Sequence, residues 1–146
     1  YCKSISELDI SGVQILKPDA LTSYLKNQKS IKTLKVVNCS LENEKLVEFM
    51  KIFMLENSNL ITYVDISGNM ISESKHAMKA LTIIGFRKDI ETLIMNDCLD
   101  ITDAKVAFNL DKFTTSKSIV NLNLANSKCN MNFVITKWNT EGGLDS

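Results

Sequence analysis

The chain has 146 residues, enough for one domain with its own core, and its 45% apolar and 23% charged content is that of a globular protein rather than a disordered or fibrous one. Seventeen Lys and Arg balance seventeen Asp and Glu, and sixteen of those cations are lysines, Arg87 standing alone. A neutral chain with one arginine lacks both the field and the bidentate forks that nucleic-acid readers use, and no run approaches the 18 apolar residues of a membrane span.

One pattern, LxxLxLxx(N/C)xL, recurs along the chain. Ile5, Leu8, Ile10, Val13 and Ile15 form the first copy, and Ile31, Leu34, Val36, Cys39 and Leu41 the second. Ile61, Val64, Ile66, Asn69 and Ile71 form the third, while Ile90, Leu93, Met95 and Cys98 open a fourth that slips by one to Ile101. Ile119, Leu122, Leu124, Ser127 and Cys129 form the fifth. The copies start at 5, 31, 61, 90 and 119, and steps of 26 to 30 residues leave room for a strand and a helix in each unit.

Within a unit, the LxL stretch is a short strand whose two flanking residues share one face while the residue between them points away. Between strands the spacing predicts helices. The first covers 18–27, opened by Pro18 with Leu21 and Leu25 inward, and the second covers 43–57, with Leu46, Val47, Met50, Phe53 and Met54 in one stripe. A third over 74–86 is capped by Ser72 with Ala77, Leu81 and Ile84 inward, and a fourth over 103–113 is capped by Thr102 with Val106, Leu110 and Phe113 inward. Residues 130–146 depart from the pattern; a helix over 132–138, with Trp138 covering the core, makes them a degenerate repeat or a cap.

On these residues the chain resembles leucine-rich-repeat proteins of the ribonuclease-inhibitor-like class, from about Ile5 to Cys129. Cys98-Leu99-Asp100-Ile101-Thr102-Asp103 also resembles the turn of that class's cysteine-containing subtype. The resemblance implies an α/β fold: a right-handed solenoid, a horseshoe arc of about five strand-helix repeats with a parallel sheet on the concave side. It also implies protein binding on that sheet, within a longer intracellular, cytoplasmic protein of the cytoskeletal or ciliary kind. The alternatives are a regulatory component of an enzyme system, either a ubiquitin-ligase substrate receptor or a GTPase-activating protein, and a bacterial effector that binds a host protein. For GTPase activation, Arg87 between a helix end and the next strand is the residue to test.

Register places Asp9, Lys35, Asp65, Ile94 and Asn123 in one outward row. Glu7, Thr33, Tyr63, Thr92 and Asn121 flank it on one side, and Ser11, Val37, Ser67, Asn96 and Ala125 on the other. Tyr63, Ile94 and Val37 are the preferred partner contacts, because rigid apolar area is what a binding face supplies. The competing account has them packing only across the ladder.

Nothing in the pattern points to catalysis, a cofactor or a small-molecule substrate. His76 reads as an exposed helical histidine. Cys2, Cys39, Cys98 and Cys129 lack CxxC spacing and histidine companions, so they read as reduced, mostly buried thiols of an intracellular protein. Asp97, Asp100 and Asp103 lack the spacing and closing Glu of a calcium loop, so no metal is expected. Asn38-Cys39-Ser40 is formally a glycosylation acceptor, but the repeat puts Cys39 inside.

Overall fold

A computed structural model of the chain describes residues 5–54, 60–85, 90–98, 100, 121–123 and 125. Five strands of three residues each occupy the LxL positions: β1 (Glu7–Asp9), β2 (Thr33–Lys35), β3 (Tyr63–Asp65), β4 (Thr92–Ile94) and β5 (Asn121–Asn123). They form one parallel sheet in the order β1-β2-β3-β4-β5, and the rows align across it as Glu7, Thr33, Tyr63, Thr92, Asn121 and as Asp9, Lys35, Asp65, Ile94, Asn123. Parallel neighbours need a crossover, and three helices supply those described: α1 (Pro18–Lys26), α2 (Glu44–Met50) and α3 (Ser74–Gly85). Helix α1 packs on α2, and α2 on α3.

The core lies between sheet and helices. From the strands come Leu34, Val64 and Leu93, and just beyond them Val36, Ile66 and Met95, all with no exposed surface. Opposite them stand Leu25, Leu46, Phe49, Met50, Ala77 and Ala80, and the Phe49 and Phe53 rings meet edge to face at 6.3 Å between centroids. Each fully buried Leu or Phe stabilises the fold by about 1.5–3 kcal/mol. The period-two pattern therefore marks the inner face correctly, and the strands have the expected register.

Polar groups at the strand exits are satisfied from within the repeat pattern. Asn69, fully buried, accepts the N–H groups of Cys39 (3.0 Å) and Leu41 (3.2 Å) at Oδ1 and donates from Nδ2 to the carbonyls of Val36 (2.6 Å) and Ile66 (2.9 Å). Four backbone groups of two adjacent repeats thus depend on one amide. Cys39 and Cys98 occupy the same slot with less capacity: each thiol lies within reach of the carbonyl one repeat earlier, Ile10 at 3.2 Å and Ile66 at 3.1 Å. Both are free, buried cysteines. Burial pushes the Cys98 thiol up to about 11 and raises that of Cys39 as well.

Several expectations need correction. The spacing predicts one helix over 43–57; among the described residues α2 ends at Met50 and a 3₁₀ turn follows over Lys51–Met54, while 55–57 lie outside the described residues. Ile52 and Phe53, in that turn, both enter the core, 1% and 2% exposed. Asn43 of the preceding repeat holds the turn that leads into α3, its Oδ1 accepting the N–H groups of Ser72 (3.0 Å) and Glu73 (3.1 Å) while its Nδ2 donates to the Ser72 hydroxyl (3.2 Å). Val13, in a consensus slot, is 55% exposed, because in the first repeat that slot meets no earlier described strand. Gly68, at φ +75°, turns the chain out of β3, and a Cβ there would collide with the Asn38 side-chain amide.

The helix expected over 103–113, the one over 132–138, and the positions of Cys2, Cys129, Arg87 and Trp138 lie outside the described residues. So do the side chains of Leu81 and Ile84. Among the described residues no helix is long and apolar enough to cross a membrane.

Candidate functional site

The strands set the candidate site, because the side chain between two core residues has nowhere to go but outward. In β2, β3 and β4 the central residue is buried while both flanking residues are half-buried, so the outer face is lined by Thr33, Lys35, Tyr63, Asp65, Thr92 and Ile94. Asp9 and Asn123 extend it at either end and are exposed; Val37, at the exit of β2, is half-buried. All seven sequence-derived contact residues thus fall on this one face.

Their bonding divides them. Asp9, Asp65 and Asn123 each use a side-chain oxygen to accept the N–H two residues on, from Ser11 (3.0 Å), Ser67 (3.0 Å) and Ala125 (3.1 Å). These are Asx turns that steer the chain out of the strand. In the second and fourth repeats the corresponding N–H finds its acceptor one repeat earlier: Val37 donates to the Ser11 hydroxyl and Asn96 to the Ser67 hydroxyl, both at 3.0 Å. Ser67 is therefore only 8% exposed, where an outward-facing residue was expected, because it is occupied stitching two repeats together. The Asp-x-Ser repeat at 9–11 and 65–67 carries this signal in the sequence.

Lys35 is the centre of the face. Its ammonium lies 3.2 Å from a Glu7 carboxylate oxygen and 5.9 Å from the centroid of the Tyr63 ring, so three adjacent strands contribute to one cluster. The bond to Glu7 raises the Lys35 ammonium above its ordinary pKa. Hydrogen bonds from Ser11, hydroxyl first and backbone N–H second, hold the Asp9 carboxyl below its ordinary value. The charges of Lys35 and Asp9 are both present at neutral pH. Ile94 is the apolar end of the same row, beside Asp65 and Asn123. A rigid ring, a clamped ammonium, carboxylates and an aliphatic residue share this surface.

A groove opens where α2 and α3 begin, lined among others by Glu42, Asn43, Glu73, His76 and Lys79. His76 is not the exposed histidine its sequence context implies: its side chain is 12% exposed, with Nε2 3.5 Å from a Glu73 carboxylate oxygen. The helix turns it toward the groove wall rather than outward. Among the described residues no group of three His, Cys, Asp or Glu side chains is placed to hold a metal ion.

No protein-family model and no curated protein matches the sequence. Solved structures do match. A tropomodulin C-terminal domain of Caenorhabditis elegans aligns with a TM-score of 0.67 over 94% of this chain and 84% of that one, at 11% identity. The fold is leucine-rich-repeat-like. Leiomodin-1 actin-binding site 2 aligns equally well, with a TM-score of 0.67 over 94% of this chain and 83% of that one, at 12% identity. An internalin of Listeria monocytogenes aligns with a TM-score of 0.50 over 91% of this chain but 38% of its own, at 12% identity. Such identities establish the architecture alone; the ribonuclease-inhibitor-like subtype is not among these similar structures.

Proposed function

We propose that the chain is a non-catalytic protein-interaction module that binds through its strand face. The observation that carries this reading is the row Asp9, Lys35, Asp65, Ile94, Asn123, held in register across five strands with Tyr63 beside it. Their side chains belong to different repeats yet share one surface, which is how a parallel sheet offers an extended partner several contacts at once. Tyr63 and Ile94 are the anchors; Lys35 and Val37 complete the face.

The setting we infer is cytoskeletal. Support comes from similarity to a tropomodulin domain and to a leiomodin actin-binding site, both of which align over nearly all of this chain. An intracellular, cytoplasmic location agrees with free, buried Cys39 and Cys98. We further infer the finer architecture that the repeat pattern implies: about five repeats in a right-handed horseshoe arc, strands concave, of the ribonuclease-inhibitor-like kind, in a single domain of a longer protein with 130–146 as a degenerate repeat or cap. A scaffold of a cytoskeletal or ciliary assembly is the role such a module fits.

The test is affinity purification of the full-length protein from its native cell beside Tyr63→Ala and Ile94→Asp versions. Loss of the same co-purifying protein from both folded variants supports the face. Unchanged recovery with both sinks it.

A further inference from the structure

Three residues of the outer strand row, Asp9, Asp65 and Asn123, accept the N–H two positions on, while the corresponding N–H of the second and fourth repeats goes to the Ser11 and Ser67 hydroxyls. Asn123 does so with a neutral amide at 3.1 Å, beside Asn96 Oδ1 of the preceding repeat at 2.9 Å. Asp9 and Asp65 thus bring negative charge to a turn that other repeats make without it. On the described strand face three carboxylates, Glu7, Asp9 and Asp65, stand against one ammonium, Lys35, which Glu7 already engages. Lys35 also displays what a visiting cation meets there, a carboxylate on one side and the Tyr63 ring on the other.

On the reading of this face as a protein-binding surface, we propose that its occupant is a cationic, extended segment of another protein. Its basic side chains lie across β1 to β3 against Asp9, Asp65 and Tyr63. Asp9 and Asp65 are two strand spacings apart, about 10 Å. A polyproline-II segment rises about 3.1 Å per residue with three residues per turn, so basic side chains three positions apart point the same way at that same interval. The recognised chemistry is thus Lys or Arg at every third residue, and the attraction is of the screened, surface kind.

The experiment titrates the ¹⁵N-labelled chain with a twelve-residue peptide of repeating Lys-Ser-Pro, and with its Glu-Ser-Pro counterpart, at low and high salt. The Lys peptide is expected to shift amides at 9–11, 35–37 and 65–67, weakening with salt, while the Glu peptide shifts none. An Asp9→Asn/Asp65→Asn chain, which keeps both acceptors and whose folding is checked by its melting temperature, is expected to bind the Lys peptide on the order of tenfold more weakly. Equal affinity of that chain, no binding of the Lys peptide at millimolar concentration, or shifts confined to the Glu42 and Glu73 groove overturns the proposal. The cell-derived partner separates the two readings: if Tyr63→Ala loses it and Asp9→Asn/Asp65→Asn keeps it, the binding face stands and the cationic occupant falls.

Discussion

Asn69 is the residue on which the described molecule leans most. Replacing it with Ala leaves two buried N–H groups and the Val36 carbonyl without their partner, each costing about 1–3 kcal/mol before water or relaxation recovers part of it, while the Ile66 carbonyl keeps the Cys98 thiol. Asn69→Ala is expected to lower stability by at least about 3 kcal/mol, measured by urea unfolding; a loss under about 1 kcal/mol means that the amide is replaceable. Cys98 in the equivalent slot behaves differently. Its folded pKa of about 11 lies above the ordinary thiol value, so the unfolded chain releases the proton first as pH rises. Folded-state stability from this group is then complete below about pH 8.5, the free-thiol value, and is lost progressively toward pH 11. Urea midpoints measured across that window should fall less steeply in a Cys98→Ser chain than in the parent. Thiol reagents at neutral pH should leave Cys98 unmodified until the chain unfolds.

At the scale of elements, turns are shared between repeats. Asn43 holds the turn into α3 from the neighbouring unit, so Asn43→Ala is expected to cost about 1 kcal/mol and to speed exchange of the Ser72 and Glu73 amides more than those of α2. A hydrogen-exchange map that shows α2 affected first contradicts the assignment. This sharing also explains which parts were legible in advance. Strand register followed from the alternation of Leu8, Leu34, Val64 and Leu93 with outward residues, because alternation is a property of each strand alone. Asn69 stands at the N/C position of the pattern, where a side-chain amide can bond the backbone groups of a strand exit. The bonds of Asn43 to the turn before α3, the burial of Ser67 and the partial burial of His76 depend on how one repeat sits against the next, which no single repeat spells out. For the candidate face, position was legible and bonding was not: Asp9, Asp65 and Asn123 lie where the pattern put them, yet each is also committed to a turn.

For the whole molecule, the gradient of burial along the stack predicts a gradient of local stability. Leu34, Val64 and Leu93 have no exposed surface, whereas Leu8 in the edge strand is half-buried. Opening β1 exposes less apolar area than opening β2 or β3, and a stacked array comes apart from its ends. Native-state hydrogen exchange should find the N–H of Ile10, bonded to the Lys35 carbonyl, less protected than those of Val36 and Ile66, bonded to Asp65 and Ile94. Equal protection of all three would show a single cooperative block instead.

Stitching across repeats also bears on how the polypeptide leaves the ribosome. The donors of Cys39 and Leu41 wait for an amide that is synthesised 28 to 30 residues later, in Asn69. The second repeat therefore emerges from the tunnel with its strand exit unfinished, and its polar interior closes only when the third arrives. At about 5–20 residues per second that delay lasts on the order of seconds. During it the nascent chain offers a half-built edge to whatever passes, a period of vulnerability written into the position of one side chain.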